Sequence, residues 1–278
     1  MISVVQRAEL IQAIREVAKK EILPRFRRLS RDQVSTKSGF DDLVTEADIA
    51  SERSLVEVFE KIVPNALIVG EEAVSESAAI LDRVDGEGLV IIIDPIDGTW
   101  NFAHGLSTFG VLVSVVHNGE TVFGVQYDPV NDDWIEATKG MGCFYMTAAG
   151  ESHRIELKQQ ASDERLVGFL SPFQFNSAQA QLNVSALQMN YARALSLRCC
   201  CHEYRTLVQG GADFYVSPKP RVWDHAAGIL CYEEAGGVVQ MLDGAPYRPT
   251  VRDGVIVAGR TREIVDRIQK EFHKALEA

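Results

Sequence analysis

Leu89-Val90-Ile91-Ile92-Ile93, followed by Asp94-Pro95-Ile96-Asp97-Gly98-Thr99, is the stretch on which the fold turns. Five consecutive aliphatic residues suit a buried strand. Acids follow at once, so the backbone delivers Asp94 to a strand end at the edge of the core. Pro95 is expected to end ladder pairing, and Gly98 permits a sharp turn just after Asp97. Two carboxylates held this close repel each other unless a cation neutralises them. Hard oxygen ligands at this spacing, an intervening carbonyl among them, suit magnesium or manganese. A charged turn at a strand end is the commoner meaning of an isolated Asp-x-x-Asp, so the flanking sequence has to decide.

Upstream, Ala66 to Val69 is a second aliphatic strand that also ends in acids, Gly70-Glu71-Glu72. Before it, a helix is expected from about Thr45 to Ile62, with Thr45 as its cap, Asp48 in its first turn and Pro64 ending it. Earlier still, Val4, Ala8, Ile11, Ile14, Ala18 and Ile22 recur at helical spacing up to Pro24. The basic residues Arg25, Arg27, Arg28 and Arg31 that follow suit a solvated helix end. Between the two strands, Ser75 to Gly88 has the polarity of a loop. Downstream, Val111–Val116 and Thr121–Tyr127 flank Asn118-Gly119 as a hairpin, and strands around Trp134–Ala137 and Cys143–Met146 pair next.

The second half alternates strands and helices. Strands are expected at 166–170, 213–216, 238–241 and 255–258, and helices at 177–191, 199–208, 224–234 and 262–276. Gly236-Gly237 closes the third of these helices. Two halves, 1–150 and 151–278, are expected, with the boundary at Ala148-Ala149-Gly150. Asp224 follows Trp223 at a helix start. Taken singly it suits a helix cap, Glu71-Glu72 a solvated loop and Asp48 compensation of a helix dipole.

Composition narrows the function. The chain has 278 residues, 46% apolar and 24% charged, an ordinary globular balance with ample material for a core. Its 28 basic and 39 acidic residues leave a formal charge of −11, which disfavours a nucleic-acid surface but not an anionic substrate reached through a bound cation. The longest aliphatic run, Leu89–Ile93, is too short to span a membrane, and Gln6, Arg7 and Glu9 leave no signal-peptide core. Five cysteines, three of them consecutive (Cys199, Cys200, Cys201), suit reduced thiols in a cytoplasmic protein.

Four blocks in order, Asp42-Leu43-Val44-Thr45-Glu46-Ala47-Asp48, Gly70-Glu71-Glu72, Asp94 to Phe102 and Trp223-Asp224-His225-Ala226-Ala227-Gly228, resemble the signatures of the inositol monophosphatase family across nearly the whole chain. The resemblance implies an α/β fold of the α+β type, a layered αβαβα sandwich with an antiparallel sheet in the first half and a mixed sheet in the second. It implies a phosphoric monoester hydrolase in which a metal-activated water attacks directly, without a phosphoenzyme. Glu71, Asp94 and the Ile96 carbonyl would hold one Mg²⁺, and Asp94, Asp97 and Asp224 a second. Glu71 could help place a third, near Lys37, and Mn²⁺ is an alternative ion. Asp48 and Thr99 would orient and deprotonate the water, while the Gly98 and Thr99 N–H groups would cradle the phosphate. A homodimer and lithium sensitivity are family expectations.

Substrate choice is where the chain departs from the inositol-specific pattern. Those enzymes carry a Glu seven residues before the last metal-binding Asp, and here Ser217 stands there. A small Gly-Ser or Gly-Thr pair is replaced by Arg198-Cys199, with Cys200 beside it. Arg198 could clamp a second phosphate or a carboxylate, or pair with a nearby acid. Histidinol phosphate, fructose bisphosphate and adenosine bisphosphates are alternative substrates to inositol monophosphate. A rival of another class is a regulatory binding partner of the transcription machinery. His104 and Trp223 are expected to pack, and His225 to turn away from Asp224.

Overall fold

Alternation within the aliphatic stretch shows how the chain is layered, once the elements are placed. The computed structural model describes residues 2–37, 39, 42–158 and 165–277. Helix α1 (Val4–Val17), prolonged by a π turn at Ala18–Ile22, leads to a two-stranded antiparallel pair, β1 (Val34–Thr36) and β2 (Leu43–Thr45), and then to α2 (Glu46–Ile62). Next come β3 (Ala66–Gly70), α3 (Glu71–Glu76), β4 (Leu89–Asp97), α4 (Thr99–Ala103), β5 (Gly110–His117), β6 (Glu120–Asp128), β7 (Asp133–Thr138), β8 (Gly142–Thr147) and β9 (Ser152–Ile155). Strands β3 to β9 form one sheet in sequence order, antiparallel except for the β3–β4 pair. The second half supplies β10 (Val167–Leu170), α5 (Ala178–Leu187), β11 (Arg193–Leu195), α6 (Cys200–Val208), β12 (Phe214–Ser217), α7 (Val222–Glu234), β13 (Val238–Met241), β14 (Ile256–Gly259) and α8 (Arg262–Glu277). Its sheet is mixed, in the order β11-β10-β12-β14-β13.

The layers are α1 and α2, the first sheet, α6 and α7, the second sheet, then α5 and α8. On β4, Ile91 and Ile93 join the cluster under α1 and α2, whereas Val90 and Ile92 pack with Val222 and Ala226 of α7. Both faces of the strand are therefore buried, which is why its aliphatic run is unbroken; each such side chain contributes about 1.5–3 kcal/mol. Asp94 follows with the parity of Val90 and Ile92, so it faces the layer from which Asp224 comes. The hairpin at Asn118-Gly119 forms as expected, both residues having positive φ (51° and 76°).

Four expectations are corrected. Strand β4 runs on through Pro95 to Asp97, because a register shift between Asp94 and Asp97 places the proline where no ladder donor is needed. The polar stretch 75–88 is not a loop: α3 ends in it and a 3₁₀ segment, Ala78–Asp85, follows. Val84 is fully buried there against Val69, Val90 and Val116, an anchor that the polar composition concealed. Helix α7 starts at Val222, so Asp224 lies within its first turn and not at its start. The expected boundary at 148–150 falls inside the first sheet, between β8 and β9; β9 is short and mostly exposed, which hid it.

Candidate active site

Asp94 and Asp97 stand at the end of β4 and Asp224 in the first turn of α7, and one carboxylate oxygen from each lies within 4.8 Å of the others. With Glu71, Ile96, Gly98, Thr99, Arg198, Cys200 and Ser217 they line a single cavity of about 690 Å³. Every expected site residue is thus brought to one place except Asp48, which sits fully buried behind Thr99. Thr99 Oγ1 lies 3.1 Å from Asp48 Oδ1 and 3.0 Å from the Ile96 carbonyl oxygen, one proton offered to two acceptors. Asp48 Oδ2 in turn accepts from the Thr45 N–H at 2.8 Å, closing the capping box of α2.

The turn that carries Thr99 depends on Gly98. Its φ is +88°, and a Cβ there would come 3.0 Å from the Thr108 carbonyl oxygen and 3.1 Å from Cys199 Cβ. Only glycine supplies both the conformation and the space. Residue Asp97 is held from the other half of the chain: its Oδ2 accepts the backbone N–H of Cys201 and the Cys199 thiol, so α6 begins against it. Asn101 donates to the Leu197 carbonyl at 2.8 Å and ties the same loop down.

Burial dominates the electrostatics. It pushes Asp48 up to about 6 against the pull of the Thr45 hydrogen bonds, and Asp97 up to about 6 against the Cys201 N–H. Asp94 is raised well above the carboxylate range by burial and then by Glu71, Asp97 and Asp224. Burial, Asp97 and Glu71 raise Asp224 as well, opposed by Arg221. Lys37 bridges Glu71 and Glu72 at 2.9 and 2.8 Å, and these carboxylates hold its ammonium above the lysine range although burial works against the charge. Asp94 Oδ1 is buried with no hydrogen-bond partner among the described residues. A buried, unpartnered carboxylate oxygen amid three further acids is the donor chemistry of a hard divalent cation, so the residues fit magnesium or manganese.

Among the expected substrate-side residues, Arg198 has a positive φ of 54° and places its guanidinium 4.4 Å above the Trp100 ring. Cys200 Sγ lies 3.4 Å from the Tyr215 hydroxyl, and Ser217 Oγ accepts from the Lys219 N–H at 3.3 Å. His104 stacks on Trp100 with 4.0 Å between ring centroids. His225 is fully buried, with Nδ1 3.1 Å from the Tyr204 hydroxyl and Nε2 2.9 Å from the Lys219 carbonyl. It stays neutral, held down to about 4 by burial. Its nearness to Cys200 and Asp224 is therefore packing, since both ring nitrogens are engaged.

Four contributors escaped sequence reasoning. Glu52 lies one helical turn beyond Asp48 on α2 and accepts the N–H groups of Glu72 (2.8 Å) and Ala73 (2.9 Å), which fixes the start of α3 and hence Glu71. A buried-face acid at i+4 from Asp48 was the available signal. Glu203, in α6, accepts the Leu197 N–H at 2.7 Å and steadies the loop that bears Arg198. Lys219 and Arg221 also line the cavity.

The model of the Inositol monophosphatase family matches residues 5–277. A fructose-1,6-bisphosphatase/inositol-1-monophosphatase of Thermotoga maritima is 30% identical over 240 residues, covering 86% of this chain and 87% of that one. A protein of Haemophilus influenzae named Nus factor SuhB is 32% identical, covering 86% of each. The solved structure of a Thermotoga maritima IMPase superposes with a TM-score of 0.80 at 27% identity, covering 99% of both chains.

Proposed function

The chain belongs to the inositol monophosphatase family, and from that premise we propose that it hydrolyses small phosphate monoesters at the Asp94, Asp97 and Asp224 cluster, with Mg²⁺ as its cofactor. The observation that carries this reading is the convergence of those three carboxylates with Glu71 in one cavity, Asp94 Oδ1 lacking a partner. Glu71, Asp94 and the Ile96 carbonyl would hold one ion, Asp94, Asp97 and Asp224 a second, and Glu71 would help place a third beside Lys37. When bound, such ions offset the charge of the phosphate dianion, lower the pKa of water and stabilise the leaving oxygen.

The chain's own residues do the rest. Asp48, with a carboxylate poised near 6, accepts the proton of the attacking water through Thr99 Oγ1, and Thr99 orients that water. The Gly98 and Thr99 N–H groups hold the phosphate in line. No side chain is arranged as a nucleophile, so the displacement is direct, and a phosphorylated residue trapped during turnover would contradict it. Phosphate release from inositol phosphates, fructose bisphosphate, histidinol phosphate and nucleotide 3′-phosphates, with Mg²⁺ and after chelation, tests the reading. Hydrolysis that survives complete chelation sinks it. Lithium inhibition, a homodimer and a cytoplasmic setting belong to the same proposal; among the described residues no helix is long and apolar enough to cross a membrane.

The likeness to a Nus factor SuhB favours a second reading, a regulatory contact with the transcription machinery. An Asp94→Asn chain that rescues a deletion phenotype would support it, and complete loss of rescue would favour catalysis.

A further inference from the structure

The segment Ser217-Pro218-Lys219-Pro220-Arg221 joins β12 to α7 and ends beside the acid cluster. Pro218 and Pro220 carry no N–H, so beyond Ser217 the donors are Lys219 and Arg221. The Lys219 N–H goes to Ser217 Oγ at 3.3 Å and the Arg221 N–H to the Lys219 carbonyl at 2.8 Å. Both bonds close within the segment and fasten it to nothing else. Among the described residues, the one hydrogen bond that reaches Pro218–Pro220 from outside comes from His225 Nε2, 2.9 Å from the Lys219 carbonyl oxygen.

His225 is itself set from behind. A carbonyl only accepts, so Nε2 carries the ring proton, and Nδ1 is left as an acceptor for the Tyr204 O–H at 3.1 Å. Tyr204 belongs to α6 and is fully buried; it lies against α7 at Gly228, where a Cβ would collide with its ring. Hydrogen bonds therefore run from α6 through α7 to the backbone of the segment. Packing alone does not call for an imidazole here. Ala226, Ala227, Ile229 and Leu230 on the same helix are buried and apolar, and exchanging both partners of a buried hydrogen bond for apolar groups is close to neutral for stability. What the bonds hold in place is Arg221. Arg221 borders both the cavity of Asp94, Asp97 and Asp224 and a neighbouring one of about 770 Å³ that contains Lys37 and Glu72, a position it shares with Asp42 and Glu71. Its charge faces Asp224 first, then Glu71 and Asp42. A cation there favours the ionised acids while no metal is bound, and repels the metal that arrives.

Building on the reading that a divalent ion sits on these acids, we propose that His225 and Tyr204 are positioning residues, whose hydrogen bonds through the Lys219 carbonyl hold Arg221 beside Asp224 as an internal counter-cation that weakens the hold of the site on its metal. Neither residue touches the ion or the substrate. Once the segment is loosened, Arg221 turns toward solvent, where ions screen its charge over about 8 Å at physiological salt. The metal then binds more tightly. A role confined to supporting the fold has the opposite sign, since a slackened first turn of α7 misplaces Asp224 and loosens the metal.

Mn²⁺ binding to the metal-free protein tests this, counted from the electron paramagnetic resonance of the free ion with no substrate present. Arg221→Gln, at an exposed position, removes the charge and should lower the Kd for Mn²⁺ by about fivefold or more. Tyr204→Phe/His225→Leu removes the hydrogen bonds without stranding a partner, because the Lys219 carbonyl keeps the Arg221 N–H. It should unfold in urea close to where the unaltered protein does, and lower the Kd by about threefold or more. Combined with Arg221→Gln, the same pair should change the Kd no further, since it acts through that charge alone. An unchanged Kd in Arg221→Gln overturns the proposal. So does a Tyr204→Phe/His225→Leu protein that binds Mn²⁺ no more tightly than the unaltered one, or one whose effect persists beside Arg221→Gln. Each of these leaves the phosphatase reading standing. An unaltered protein that takes up no Mn²⁺ overturns both.

Discussion

Replacing Gly70 by Ala should damage this protein through Glu52, a residue that touches neither substrate nor cavity ion. Gly70 has φ −103° and ψ 150°, which any residue adopts, so the substitution strains no backbone. A Cβ there would stand 2.2 Å from Glu52 Cδ and 2.4 Å from both carboxylate oxygens. The carboxylate must leave, and it takes with it the acceptors of the Glu72 and Ala73 N–H groups at the start of α3. Overpacking costs about 1–3 kcal/mol. Losing hydrogen bonds to a charged acceptor costs about 1.5–3 kcal/mol each, reduced here because burial already taxes that charge and raises the Glu52 pKa. A net loss of about 3 kcal/mol is expected for Gly70→Ala, and about 2–4 kcal/mol for Glu52→Ala, which leaves two N–H groups without a partner.

The decisive measurement is the double variant. With Glu52 truncated, the new methyl at position 70 enters the space the carboxylate held, so Gly70→Ala/Glu52→Ala should be no less stable than Glu52→Ala alone. The coupling in the double-mutant cycle should then be about 2–3 kcal/mol in the direction of relief. Urea denaturation of the metal-free protein gives the free energies without the added linkage of bound ions. Both single variants should also need more Mg²⁺ for half-maximal hydrolysis, since α3 starts at Glu71. Additive losses in the cycle would refute the steric route through Glu52.

Asp94→Asn should abolish hydrolysis and weaken metal binding, yet stabilise the metal-free protein at pH 7 by about 1–2 kcal/mol, because it removes a buried charge repelled by Glu71, Asp97 and Asp224; a less stable metal-free variant in urea would count against the crowding argument. The same crowding sets a pH dependence. Asp48 and Asp97 sit near 6 in the folded protein against an ordinary 3.8, so the native state binds more protons between those values and stability falls as pH rises through that window. Glu72, pushed up to about 8 by burial and Glu71, extends the fall upward, while His225, held down to about 4, opposes it. Metal-free protein should therefore be more stable at pH 5.5 than at pH 7.5, by on the order of 2 kcal/mol, and saturating Mg²⁺ should reverse the order; denaturation midpoints at the two pH values, with and without Mg²⁺, check both signs. Ser217→Glu should mainly reorder kcat/KM among phosphate esters, raising inositol monophosphate relative to bisphosphates while kcat for a simple aryl phosphate changes less than threefold.

Much of the first sheet was legible because its information is local. The run Leu89–Ile93 had to be buried on two faces, and Asn118-Gly119 had to turn. What stayed hidden depends on pairs far apart in the chain. Glu52 meets the Glu72 and Ala73 N–H groups some 20 residues away, and the Cys199 thiol reaches Asp97 across 102 residues. Neither contact leaves a periodicity to read. The 75–88 stretch failed for a different reason: a single buried valine, Val84, is enough to fasten a 3₁₀ segment, and one apolar residue among polar ones carries no pattern.

The individual acids were harder to judge, because each had an ordinary structural meaning that competed with a functional one. The structure removes the competition. Asp48 does close the capping box of α2, Glu71 does open α3, Asp224 does lie in the first turn of α7, and Asp97 does receive the first N–H groups of α6. Helix N-termini carry partial positive charge worth about 0.3–1 kcal/mol to each nearby carboxylate. Arranged around one cavity, they oppose the mutual repulsion that burial makes severe, so a cluster that wants cations can fold before it has them. The capping positions are therefore the means by which four acids are held, deprotonatable and crowded, in a site whose remaining charge imbalance is what would draw a divalent ion in.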